Sequence, residues 1–246
     1  MPSTGPTIED LTYSRTREVL LSVASRALAR TKRPLWYLET LVLSARYNQA
    51  LQSSAWGNSS RRFRNRETMW QSLVVPQLAR RPRWSALEFG VAAGAATRWY
   101  AANGVNISQW HGFDTFSGLP EPWRRGSIDV VAAGAFSPES SSSGVPPKIS
   151  AHYPISWHPG LIEDTLPSFS RPEGAVFILI DVDLLNPTRT IFQWLIEHGE
   201  PGDLIYLDEA FDPFNEGLAL EETIRSGLRV EALGNTGTAL LLRLQG

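Results

Sequence analysis

Two short runs bring four carboxylates together in pairs. Ile180-Asp181-Val182-Asp183-Leu184 and Leu207-Asp208-Glu209 each close an apolar stretch. Carboxylates crowded into one region repel and raise each other's pKa. A hard divalent cation removes the conflict, because Mg²⁺ takes carboxylate oxygens and keeps several waters. The plainer alternatives are solvated loop acids and, for Asp183, a cap on the helix that follows. A cation held here would have chemistry to do. Coordination to zinc lowers the pKa of water from about 15.7 to about 7. Mg²⁺ does less for a hydroxyl, so a further carboxylate acting as base is useful.

A second constellation lies earlier in the chain. Glu88-Phe89-Gly90-Val91-Ala92-Ala93-Gly94 stands where an apolar run gives way to a helical pattern. Small residues let the backbone approach a ligand there, and its N–H groups face whatever occupies the helix start. Asp114 follows twenty residues after Gly94, a spacing at which an acid can accept both ribose hydroxyls of an adenosine ligand. These two features do not separate NAD from S-adenosylmethionine, but the turn lacks the Gly-x-Gly-x-x-Gly spacing of pyrophosphate binders, which favours a ligand without phosphate.

The elements that must carry these residues alternate. Residues 85–89, 109–113, 155–158, 175–180 and 203–207 read as strands, and 95–103, 188–198 and 216–226 as helices. The run 175–180 is apolar at every position, the pattern of a strand buried on both faces. Alternation of this kind implies a parallel sheet with helices on both sides. The end departs from it: 228–233 and 238–244 flank Gly234-Asn235-Thr236-Gly237 and read as a β-hairpin. Residues 118–152, rich in Pro and Gly and holding Ser140 to Ser143, are expected to form a mobile lid. Before Trp84 the pattern is helical, at 13–29, 35–51 and 67–79, with no convincing strand. The chain therefore divides into an N-terminal helical extension, 1–83, and an α/β domain, 84–246.

Composition narrows the partners. The chain of 246 residues has no cysteine, so disulfides and thiolate metal sites are excluded and a reducing cytoplasm is expected. No apolar run is long enough to span a membrane, and the first residues lack an export pattern. Charge is uneven: 14 basic and 5 acidic residues up to Arg83, against 9 basic and 20 acidic after it. Arg61, Arg62, Arg64 and Arg66 form a basic cluster read as a solvated or docking face, not a nucleic-acid site. His111 reads as structural, while Trp123, Tyr153 and Trp157 are candidates to stack on a sugar or on adenine.

Taken together, Leu87-Glu88-Phe89-Gly90, the run Gly112-Phe113-Asp114-Thr115-Phe116-Ser117-Gly118-Leu119-Pro120, Asp164-Thr165-Leu166-Pro167, Ile180 to Leu184, and Pro201-Gly202-Asp203 through Glu209 resemble the macrocin O-methyltransferase family. The resemblance covers roughly 84–214. It implies a Rossmann-like class I methyltransferase fold, a mostly parallel seven-stranded sheet closed by a C-terminal antiparallel hairpin strand. It implies methyl transfer from S-adenosylmethionine to a sugar hydroxyl. Glu88, Phe89, Gly90, Gly94, Asp114, Thr115, Phe116 and Asp181 would line the cofactor pocket. Asp181, Asp208 and Glu209 would hold Mg²⁺, and Asp183, aided by Asp181, would serve catalysis as base. The resemblance also suggests a homodimer. Two departures are Ala92-Ala93 in the turn and Leu185, where the family usually has Tyr. A catechol-type O-methyltransferase and an NAD(P)-dependent oxidoreductase are the rival readings.

Overall fold

A computed structural model describes residues 41–42, 61–80, 83–103, 106–125, 130–137 and 144–246. The helices expected at 13–29 and 35–51, save for helical Leu41 and Val42, lie outside the described residues, as does Ser140 to Ser143.

The sheet is built from β1 (Arg61–Arg62), β2 (Trp84–Phe89), β3 (Ile107–Asp114), β6 (Ile155–Pro159), β7 (Ala175–Ile180), β8 (Leu204–Leu207), β9 (Val230–Asn235) and β10 (Leu240–Leu244); β4 (Trp123–Arg124) and β5 (Val130–Val131) form a separate small hairpin. Strand order is β1-β9-β10-β8-β7-β2-β3-β6. Pairing is parallel from β8 to β6, whereas β10 runs antiparallel between β8 and β9. The expected seven strands are thus all present, and one more joins them. Two-residue β1 adds to the edge, pairing parallel with β9, Arg61 against Gly234 and Arg62 against Asn235. Periodicity could not reveal a strand that short, since two residues carry no alternation.

The helices are α1, spanning 66–78, α2 (Ala95–Ala102), α3 (Ile162–Thr165), α4 (Leu185–His198) and α5 (Glu216–Arg225). Within α1 the stretch Trp70–Val74 is π-helical, ending two residues before Pro76. A proline has no N–H to continue the α ladder, and a widened turn accommodates it.

Strand β7 shows why the core has two halves. All six of its residues are buried, and successive side chains take opposite faces. Val176, Ile178 and Ile180 join Phe192 and Leu195 of α4 and Leu220 of α5. Ala175, Phe177 and Leu179 join Met69, Trp70 and Leu73 of α1 and Tyr100 of α2. The segment expected to be an extension therefore supplies the helix that covers one face. Gly234 permits this, for a Cβ there would stand 2.7 Å from Leu73 Cδ2.

Candidate active site

Strands β2, β3, β7 and β8 end side by side, and a cavity of about 500 Å³ opens at their carboxyl tips. Open α/β sheets bind ligands at this end. Its wall contains Glu88, Gly90, Asp114 and Thr115 from one group of predicted residues and Asp181, Asp183, Asp208 and Glu209 from the other. Phe89, Gly94 and Phe116 do not line it. Phe89 is fully buried and stacks on Phe113, and Phe116 packs edge-on against Trp157. Gly94 faces the 147–149 segment, where an added Cβ would meet Ile149 Cδ1 at 2.5 Å. Strand alternation explains Phe89: its neighbours Glu88 and Gly90 reach the cavity while its ring turns into the core.

The turn after β2 is shaped by backbone conformation. Gly90, Ala92 and Gly94 all have positive φ. At Gly90 only glycine fits, because a Cβ would lie 1.8 Å from the carbonyl oxygen of Asp181. Asp114 holds the turn from across β3. Its Oδ2 accepts the amides of Val91 and Ala92, each at 2.7 Å, and its Oδ1 accepts that of Phe116 at 2.6 Å. Thr115 Oγ1 adds a long fourth contact to Oδ1 at 3.5 Å, so the acceptor positions of this carboxylate are largely taken by its own chain. Glu88 lies deeper. Its Oε2 accepts from Thr97 Oγ1 and, at 2.9 Å, from Trp110 Nε1. Burial pushes its carboxyl up to about 7.

The acidic end is bound together from behind. Glu216, at the start of α5 and fully buried, accepts the amides of Val182 at 2.9 Å and Asp183 at 3.2 Å with Oε1. Its Oε2 accepts the amide of Glu209 at 3.1 Å. One carboxylate thus aligns both acid-bearing strand tips. Burial and the charges of Asp181 and Asp183 push the Glu216 carboxyl well up. Asp183 has φ 62°. It does not cap α4, whose N-cap is Leu184 with no side-chain hydrogen bond. Burial, with Asp208 and Asp212, raises the Asp183 carboxyl to about 7, and Arg125 opposes the rise. Glu209 is raised to about 7 by burial, then by Asp208, Asp183 and Asp212. Asp181 is also driven up, by burial first and then by Asp208 and Asp183.

The sequence reading missed Arg66. It leaves the basic cluster, whose Arg61, Arg62 and Arg64 are exposed, and reaches the acids. Its Nη1 stands 3.3 Å from Asp208 Oδ2 and 3.7 Å from Asp181 Oδ2. The other Asp208 oxygen accepts the hydroxyl of Tyr206. Two hard oxygens thus converge on one cation position, a donor set that suits Mg²⁺ in chemistry. Among the described residues no three acidic or histidine side chains form a ready metal-binding group.

The described parts of the expected lid, 118–125 and 130–137, line the cavity with Gly118, Leu119, Pro120, Trp123, Arg125 and Phe136. Asp212 anchors the first of them, accepting from Trp123 Nε1 at 3.2 Å and from Asn215 Nδ2 at 2.6 Å. Asn215 Nδ2 also donates to the Arg124 carbonyl at 2.9 Å. The Arg125 guanidinium lies 4.7 Å from the centre of the Trp123 ring. Of the three aromatic candidates, Trp123 alone lines this cavity. Tyr153 stacks on Trp110 in the core, and Trp157 presses on Gly112, where a Cβ would come within 2.4 Å of its ring. His111 is structural as expected, 3.1 Å from His158 within an aromatic group that includes Phe113 and Phe169. Asp212 and Asn215 follow Asp208-Glu209 in one loop and Glu216 opens α5 directly after it, and that density of polar residues was the available signal.

No family model and no curated protein matches the sequence. Solved structures do. The calicheamicin methyltransferase CalS11 aligns over 99% of this chain and 98% of its own, at 17% identity and a TM-score of 0.53. The O-methyltransferase NovP aligns over 66% of this chain and 72% of its own, at 17% identity and a TM-score of 0.46. TomG from Streptomyces achromogenes, an O-methyltransferase of tomaymycin synthesis solved in complex with SAM, aligns over 83% and 90%, at 18% identity and a TM-score of 0.42. Strand order, the inserted antiparallel β10 and the likeness to CalS11 agree: the chain has the Rossmann-like class I methyltransferase fold.

Proposed function

We propose that the protein transfers the methyl group of S-adenosylmethionine to a hydroxyl oxygen, that the hydroxyl belongs to a sugar on a natural product or glycan, and that a divalent ion such as Mg²⁺ assists. The observation that carries this reading is one cavity holding both the Gly90 turn with Asp114 and the acids at the tips of β7 and β8. The first set suits adenosine and methionine; the second faces the place where an acceptor must stand for in-line transfer. The fold shared with a calicheamicin methyltransferase supports the same reading.

Asp183 is the base. Burial and the neighbouring acids bring its carboxyl to about 7, and a general base works best with a pKa near the working pH. When bound, the ion would be held by Asp181 and Asp208 and would acidify the acceptor hydroxyl. Trp123, the aromatic candidate in the cavity wall, would edge the place of the sugar ring. Holding the oxygen about 3–3.5 Å from the methyl carbon supplies much of the acceleration. The inserted strand β10 argues against a dinucleotide oxidoreductase, as does the turn without pyrophosphate-type spacing.

Calorimetry with S-adenosylmethionine and with NAD tests the cofactor. Binding of the first alone is expected, and binding of NAD alone overturns the reading. Methyl transfer to sugar-bearing and catechol acceptors, with and without chelator, then tests acceptor class and ion. Transfer to catechols alone replaces the sugar, and chelator-insensitive transfer removes the ion.

A further inference from the structure

We propose that Arg66 is an exchangeable internal counter-cation: its guanidinium neutralises Asp181 and Asp208 until a divalent ion takes the same position, so arginine and ion bind in competition. The inference deepens the proposed ion-assisted transfer and rests on it for the identity of the incoming cation.

The contact is longer than two other arginine–carboxylate pairs of the same molecule, Arg171 with Asp203 and Arg189 with Glu222. Arg171 grips buried Asp203 through one nitrogen at 3.1 and 3.0 Å from its two oxygens, and that carboxylate also accepts the amides of Val176 and Glu200. Arg189 engages Glu222 with two nitrogens, at 2.8 and 2.6 Å. Arg66 offers a single nitrogen to oxygens of two different residues, at 3.3 and 3.7 Å. Charge-assisted hydrogen bonds settle near 2.7–2.9 Å and Arg favours two-pronged contact, so the Arg66 contact is loose. It places a positive charge between two acids without binding either tightly.

Arg66 also has somewhere to go. It stands on the first turn of α1, outside the strands that carry the acids. Its Nε lies 3.5 Å from Glu67 Oε1, and its guanidinium lies 5.4 Å from the centre of the Trp70 ring. Both partners remain beside it if the Asp contacts break, so withdrawal costs the side chain little. The position it leaves is already lined by oxygens. Asp181 Oδ2 and Asp208 Oδ2 face it, Tyr206 fixes Asp208 through the other oxygen, and Glu216 holds both tips in register. Arg125, in the same cavity wall, opposes the rise of the Asp183 and Glu209 carboxyls.

The test is Mn²⁺ binding to the purified full chain, read from the electron paramagnetic resonance of free Mn²⁺. Arg66→Met should bind Mn²⁺ at least about tenfold more tightly than wild type, a shift of one decade in Kd. Arg66→Lys, which keeps the charge, should stay within about threefold of wild type. Arg66→Gln carries the same expectation as Arg66→Met and serves if that variant does not fold. Equal affinity in wild type and the uncharged variants overturns the exchange, and so does absence of Mn²⁺ binding from all of them. S-adenosylmethionine affinity, measured on the same samples, reports on the cavity separately. Failure of wild type to bind it overturns the proposed function, whereas the Mn²⁺ comparison alone decides the exchange.

Discussion

The buried carboxylate of Glu216 accepts the backbone amide of Asp183 at 3.2 Å, so a residue that never faces the cavity sets the direction of the candidate base. The same group accepts the amides of Val182 and Glu209. Glu216→Ala strands three N–H groups, that of Val182 buried and those of Asp183 and Glu209 partly buried, and a buried donor left unsatisfied costs about 1–3 kcal/mol. We expect a loss of about 3 kcal/mol in denaturant unfolding, together with most of the transferase activity. Stability within about 0.5 kcal/mol of wild type would remove Glu216 from this role.

Gly90 should not tolerate a side chain. Alanine there needs an unfavourable φ and puts a Cβ 1.8 Å from the Asp181 carbonyl oxygen. Overpacking alone costs about 1–3 kcal/mol, so Gly90→Ala should lower the unfolding free energy by about 3 kcal/mol without any ligand present. A thermal melt of the ligand-free protein checks this, separating a backbone clash from a lost cofactor contact.

Asp114 holds the turn, and in the proposed reading it also meets the ligand. Asp114→Ala releases the amides of Val91, Ala92 and Phe116 at once. S-adenosylmethionine affinity should fall by about tenfold or more in calorimetry. Unchanged affinity would take Asp114 out of the site.

Asp181→Ala should behave differently. It removes one of the two strand-tip carboxylates beside Arg66 while leaving the Gly90 turn and Asp114 intact. Methyl transfer should fall below about 1% of wild type, an increase of roughly 2.7 kcal/mol or more in the barrier. S-adenosylmethionine binding should be largely retained. Full activity in this variant would refute the assignment of the acidic end.

The raised carboxyls also predict how stability varies with pH in the presence of chelator. Asp183 and Glu209 are each raised to about 7, above the ordinary carboxyl range near 4. The folded protein therefore binds more protons than the unfolded chain between those values, so stability falls as pH rises through that window. Their contribution is fully present below about pH 4 and is lost above about pH 7. Melting temperatures recorded from pH 5 to 8 should decline, and Asp183→Asn should flatten part of the decline. A rising curve in wild type that Asp183→Asn leaves unaltered would contradict the charge crowding described here.

What could be read from the chain alone followed from local rules. A run that is apolar at every position, 175–180, had to be a strand buried on both faces, and the observed bounds agree. Gly/Asn punctuation marked the terminal hairpin, and acids directly after apolar strands had to stand at the carboxyl end of the sheet. Both halves of the candidate site were legible for that reason. Phe89, Gly94 and Phe116 were assigned by proximity to a motif, but strand alternation and a positive φ turned them away from the cavity. Other decisions belonged to tertiary structure. Arg66 lies 142 residues from Asp208 in sequence, and Glu216 lies 33 from Asp183. Their meetings depend on β1 adding to the sheet edge, which brings α1 over one face, and on α5 starting behind the tips of β7 and β8. Local patterns specify which residues are buried and where strands end. The partner of a charge across the sheet is set only when strand order and helix packing close the distance.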